Sequence, residues 1–170
     1  MIKKFKTLAH RINAMARIDQ AMRKKIRKHT TTKWNPHIDK RNTLAMKKII
    51  AAYGWPTIGM VGKKASHNTW LLVQHADHDT PFQEKCLERM QKEFTSDPAS
   101  IQAKEIAYLT DRIAIHHGKK QTFGTQYKIK PNGKLELLPL KNRKKVNLLR
   151  KKYGLTTLQS HLKLVREKYK

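Results

Sequence analysis

Phe5, Leu8, Ile12, Met15, Ile18, Met22 and Ile26 recur at spacings of three and four residues. That period is the mark of an amphipathic helix. The other face of such a helix carries Lys4, Arg11, Arg17, Arg23, Lys24, Arg27 and Lys28. Such a helix needs a partner for its apolar stripe, while its cationic side repels any neighbour of like charge. The rest of the chain therefore has to supply an apolar surface that is close to neutral.

The charge is distributed in a way that allows this. Residues 1–48 carry 15 Lys and Arg against Asp19 and Asp39, a net +13, and residues 141–170 carry 11 against Glu167, a net +10. The centre, 49–140, carries only a net +3 of the total +26. A near-neutral centre thus lies between two basic flanks. Charge of this size opposes compaction and attracts polyanions. Lys outnumbers Arg 28 to 10, which favours diffuse phosphate contact over bidentate reading of bases. Trp34 is the one aromatic residue near the first flank that can stack on a base, so no stacking platform for single strands is evident.

Length and composition exclude several classes. With 170 residues the chain can bury a core as one domain. A single cysteine, Cys86, rules out an internal disulfide and a zinc site built on several thiolates. No apolar run reaches the roughly 18 residues of a membrane span. The start has no continuous apolar segment of a secretory signal, so the cytoplasm is the expected compartment.

Along the chain the pattern is mainly α, with six to seven helices and one β-hairpin near 126–138, in a single domain over 1–170. After the first helix, a Thr cluster and Pro36 predict a break. A second helix from about Asp39 is expected to bury Leu44, Ile49 and Ile50 and to stop at Gly54, with Pro56 beyond. "TIGMVGKKAS" reads as a glycine-punctuated loop, followed by a helix over about 65–75. Thr80, Pro81 and Gln83 predict a capping box, and Asp97 with Pro98 predicts the start of the next helix, to about Ile115. "TQYKIKPNGKLELLPL" alternates around Asn-Gly, a hairpin signal. Helices over about 143–152 and 156–168, separated by Gly154, close the chain.

Three polar clusters interrupt apolar sequence within the centre. Gln74, His75 and Asp77 end an apolar helix; Asp111 and Arg112 break another; Gln121, Gly124 and Gln126 surround a turn in "QTFGTQ". Each also has an ordinary structural reading: a polar group closing an apolar helix is usually a cap, and Asp111 with Arg112 is usually an ion pair that holds helices together. As a site, His75 is a general acid or base oriented by Asp77 or Asp111. Arg112 can hold a phosphate or carboxylate, and Gln121 and Gln126 can donate to an oxyanion or a ligand edge. His75, Asp77, Asp111 and His116 offer metal donors, yet no HExxH-type spacing occurs, and neither metal nor cofactor is implied. Cys86 sits among core residues and no serine stands in a glycine elbow, so nucleophilic catalysis has little support. "GMVGKKAS" lacks the spacing of a phosphate loop.

Taken in order, "IDQAMR", "YGWPTIGMVG", "LLVQHADHD", "FQ", "AYLTDRI" and "QTFGTQ" resemble an uncharacterised bacterial domain family of unknown function, over about Asp19 to Leu158. The resemblance implies no activity. It picks out Asp19, Gln20, Arg23, Trp55, Pro56, Gly62, Gln74, His75, Asp77, Gln83, Asp111, Arg112, Gln121, Gly124 and Gln126. The basic flanks are a departure from its pattern.

Two functions follow as expectations. The first is an enzyme acting on a phosphate-bearing substrate such as RNA or a nucleotide. His75, Asp77, Asp111, Arg112, Gln121 and Gln126 would form its site, and Lys24, Lys25, Arg27, Lys28, Lys144, Lys145, Lys151 and Lys152 would gather the polyanion. The second is a nucleic-acid-binding protein that catalyses nothing, its central motifs purely structural. Attachment to a membrane surface through the first helix fits less well, because the core needs that helix's apolar face.

Overall fold

A computed structural model describes residues 2–27, 35–130 and 134–168. Lys28, Trp34, the Thr cluster and the Pro131–Gly133 turn lie outside the described residues, as does the side chain of Arg27. The architecture is mainly α: helices α1 (Lys3–Arg27), α2 (Pro36–Tyr53), α3 (Ile58–Gln74), α4 (Thr80–Ser96), α5 (Ala103–His116), α6 (Val146–Lys152) and α7 (Leu158–Lys168). The two strands β1 (Tyr127–Ile129) and β2 (Leu135–Leu137) pair antiparallel, with Lys128 opposite Glu136. The helical class and the hairpin expected from the sequence are both present. Contacts gather into two compact units, Met1–Gln102 and Ala103–Lys170.

In the first unit α3 is the central element and packs on α1, α2 and α4. Leu8, Ile12 and Ala16 of α1 are buried, as are Ala65, Leu72 and Val73 of α3. Two side-chain bonds fix how α1 and α3 run. Asn68 Nδ2 donates to Asn13 Oδ1 at 2.8 Å, and His75 Nδ1 lies 2.9 Å from Asp19 Oδ2. The pairs advance together along both helices, so α1 and α3 are parallel. Ile18, expected on the buried stripe, is 45 % exposed, and Leu44 is 62 % exposed. Each lies six residues from a buried isoleucine (Ile12 and Ile50), which on a 3.6-residue helix is about 120° round the axis, off the buried stripe.

Local starts and stops differ from expectation in instructive ways. Pro36 opens α2 where a break was expected: Asn35 caps the helix by accepting from His37 N, and proline fits the first turn. The expected loop at 57–66 is helical, capped by Thr57, and is interrupted only at Gly62, whose φ of 80° and ψ of 159° leave the helix for one residue. Glycine takes that conformation without strain. Asp79 caps α4 in place of Thr80, accepting from Phe82 N at 3.2 Å. Gln83 therefore closes no capping box; it is buried and donates to Val73 O at 3.1 Å. Asp97 ends α4 in place of starting α5, accepting from Ala99 N in the turn between them.

The second unit is built around the loop 121–126. Ile106, Leu109 and Ile113 of α5 are buried, with Phe123, Val146, Leu158 and Val165. Gly124 has φ 71°, and a Cβ there would lie 2.7 Å from Leu158 Cδ1. Glycine is needed on both counts.

Candidate active site

Asp19 stands three residues after Ala16 and seven after Ile12, in line with the buried face of α1, and is itself fully buried. A carboxylate placed there has to be paired. Its Oδ1 accepts from Arg23 Nε at 3.1 Å, and its Oδ2 accepts from Gln20 Nε2 at 2.7 Å and faces His75 Nδ1. Arg23 carries the network onward, donating from Nη2 to Asp39 Oδ1 at 3.0 Å. Burial alone would raise the Asp19 carboxyl, but the hydrogen bond and charge of His75, then the charge of Arg23 and the Gln20 amide, leave it below the usual carboxylate range. Burial raises the Asp39 carboxyl, and the nearby Asp19 charge adds to this against the opposing pull of Arg23.

An ionised carboxylate can only accept, so His75 Nδ1 carries the proton toward Asp19. In the neutral ring Nε2 is then the free acceptor. His75 closes α3 as its C-cap, and it lines an open cleft of about 230 Å³ with Arg23, Pro36, Asp39, Lys40, Asp77 and His78. A buried carboxylate, an oriented imidazole and a cleft carrying cationic groups are the elements of general acid–base chemistry at a water-accessible centre.

His75 and Asp77 are thus neighbours in one cleft. Asp77 is exposed, and its Oδ1 accepts from Gln83 Nε2 at 3.4 Å. The orienting carboxylate is Asp19, and the sequence carried a signal for it: an acid in register with Ile12 and Ala16.

Asp111, Arg112, Gln121 and Gln126 belong to the second unit and form one network there. Asp111 Oδ1 accepts from Thr122 N and Phe123 N at 2.7 and 3.0 Å, while Oδ2 accepts from Thr125 N and Thr125 Oγ1, both at 3.0 Å. Gln121 accepts from Gln126 N at 2.8 Å and donates to Gln126 O and Leu138 O. Arg112 Nη1 donates to Gln126 Oε1 at 3.3 Å, and Gln126 Nε2 donates to Thr125 Oγ1. Asp111 and Gln121 are fully buried, so the amides and carboxylate around the glycine meet the chain's own backbone. Gln126 and Arg112 are half-buried.

One residue that sequence reasoning passed over completes this network. Arg150 looked like one more flank cation, but it is fully buried. Its Nη1 donates to Phe123 O at 2.7 Å and its Nε to Thr156 O at 2.6 Å. Asp111 therefore holds the loop by its N–H groups and Arg150 by a carbonyl. Desolvation lowers the Arg150 pKa. Nothing in the local sequence separates Arg150 from Lys151 and Lys152, both exposed.

The flank lysines Lys24, Lys25, Lys144, Lys145, Lys151 and Lys152 are exposed. Cys86 is buried, and burial pushes its thiol up to about 12, so it carries no thiolate chemistry near neutrality. Among the described residues no group of three or more His, Cys, Asp or Glu side chains is placed to hold a metal ion. Among them, too, no helix is long and apolar enough to cross a membrane.

Comparison with known proteins bears on the family alone. The model of a family of unknown function, DUF6624, matches residues 6–170. No curated protein and no solved structure matches the chain.

Proposed function

The chain belongs to that family of unknown function, and we propose that it is an enzyme using His75 as general acid–base catalyst on a phosphate-bearing substrate, RNA or a nucleotide. The observation that carries the reading is the buried Asp19 carboxylate at 2.9 Å from His75 Nδ1, with the imidazole lining an open cleft. In this reading Nε2 takes the proton of a water or hydroxyl as its oxygen bonds to phosphorus. The imidazolium then returns a proton to the leaving oxygen as the old P–O bond breaks. Asp19 holds the ring and balances the charge that forms on it. Lys40 and His78, both exposed on the same cleft, are the groups available to the phosphate oxygens. The exposed flank lysines raise the local concentration of a polyanion, and the reaction is placed in the cytoplasm, where such substrates abound.

A second reading, nucleic-acid binding without catalysis, draws on the loop 121–126, whose polar groups serve its own structure. Incubation of the protein with an RNA oligonucleotide, bis-p-nitrophenyl phosphate and a nucleoside triphosphate separates the two. Turnover of at least one, lost in His75→Asn, supports the enzyme. Binding of the RNA with no turnover of any substrate supports the binding protein.

A further inference from the structure

His10, Asn13, Arg17 and Gln20 follow one another on α1 at spacings of three, four and three, and so form a polar stripe. Lys64 and Asn68 form a matching pair on α3 just after the Gly62 interruption. Together these six line a groove of about 320 Å³ on the seam of the two parallel helices. Among the described residues no carboxylate lines it. Asn68 Nδ2 donates to Asn13 Oδ1, which leaves the Asn13 amide hydrogens without a partner among the described residues. Arg17 and Lys64 are exposed, and neither makes an ion pair among the described residues. A groove with two fixed cations, an imidazole and amide donors, and no acid, matches a phosphate group.

The groove is linked to the proposed catalytic pair through Gln20. Gln20 lines it, and the same Gln20 donates to the Asp19 oxygen that faces His75. Asn68 precedes His75 by seven residues, so at 1.5 Å per residue the two stand about 10 Å apart along α3. We infer that the α1–α3 groove is a second anion subsite, which holds a phosphate of the substrate about 10 Å from the bond that reacts at His75. This rests on the proposed role of His75. It narrows the substrate class to molecules with an anionic group at that remove, such as an oligonucleotide or a terminally phosphorylated dinucleotide. A nucleoside monophosphate is too short.

The test is a binding measurement, so it does not require turnover. The parent protein is titrated calorimetrically with a dinucleotide carrying a 5′-phosphate and with the same dinucleotide lacking it. The phosphorylated form is expected to bind at least about tenfold tighter, one decade for one well-made charged contact. Arg17→Gln combined with Lys64→Gln should bring that ratio to about one, and Lys119→Gln combined with Lys120→Gln, at exposed lysines outside both flanks, should leave it unchanged. Equal affinities in the parent would overturn the inference, as would a ratio that survives the groove substitutions. Because the folded state of each variant is checked by its thermal midpoint, a loss caused by unfolding is told apart from loss of a contact. Should the ratio behave as stated while His75→Asn leaves turnover intact, the groove stands and the catalytic reading falls. The converse result separates the two in the other direction.

Discussion

Asp19 Oδ2 lies 2.9 Å from His75 Nδ1, joining α1, about two turns before its end, to the C-cap of the parallel helix α3. The carboxylate is fully buried and the imidazole lines a cleft. One residue fixes the ring, and the ring meets solvent on its other side.

Asp19→Asn tests the pair from its buried end. The amide keeps the shape but loses the charge, and one of its two polar atoms becomes a donor facing donors. Stability should fall by about 1–3 kcal/mol, since Arg23, Gln20 and His75 lose an ionised acceptor. The proposed turnover should fall by about a hundredfold or more, in kcat far more than in KM, with a displaced pH–rate profile. A fall in thermal midpoint with kcat and its pH profile unchanged would reduce Asp19 to a structural residue.

Gly124→Ala and Gly154→Ala form a controlled comparison. Both glycines have positive φ, 71° and 65°, so each alanine is expected to cost about 1 kcal/mol from the backbone alone. A Cβ added at Gly154 would meet nothing within 4 Å beyond its chain neighbours, whereas at Gly124 the new Cβ meets Leu158 Cδ1 at 2.7 Å. Gly124→Ala should therefore be the more destabilising in urea denaturation. Equal losses would show that Leu158 moves aside freely.

Asp111→Ala removes the acceptor of three backbone N–H groups and one hydroxyl. A loss of at least about 3 kcal/mol is expected, at roughly 1 kcal/mol for each donor left in the interior. Near-parent stability in a denaturant melt would mean that the loop finds other acceptors.

Acid should destabilise the protein in two windows. Burial lowers the His161 pKa below its ordinary 6.5, so folding favours the neutral ring. That stability is present above 6.5 and is lost as pH falls through 6.5 toward the folded value. Asp19, lowered from 3.8, contributes stability above 3.8 that is lost as pH falls through its own folded value, while Asp39, raised, acts in the opposite sense there. His161→Phe should flatten the first window in a series of melts between pH 5 and 8 and leave the second. A parent curve that is level from pH 8 to 5 would contradict this.

The proposed polyanion affinity should fall steeply with salt, and its slope should shrink by about 0.7–0.9 for each phosphate contact removed. Replacing Lys144, Lys145, Lys151 and Lys152 by Gln is expected to lower the slope while leaving the fold intact, as all four are exposed. An unchanged slope would take the second flank out of the interaction.

Apolar periodicity made the helices legible, and Asn-Gly the hairpin, because burial acts on every third or fourth residue of a helix and every second of a strand. Helix ends were less legible. Asp79 and Thr80 are both competent caps, and only the backbone decides between them. His75 stood out as a polar residue closing an apolar helix. Its partner Asp19 showed only as an acid in register with Ile12 and Ala16, and the pairing itself was not legible, since the contact spans 56 residues and depends on the register of α1 against α3. Arg150 was hidden for a different reason: a buried arginine among exposed lysines has no local signature.

The central claim is that His75 moves a proton, and chemical rescue addresses it directly. His75→Ala is compared with the parent on a substrate that the parent turns over, with and without added imidazole. The rate should fall by about a hundredfold or more and should recover in part as free imidazole is raised, in proportion to its unprotonated fraction. Asp19 would still be held by Arg23 and Gln20, so the fold should persist. A folded His75→Ala protein that keeps the parent rate would contradict the claim.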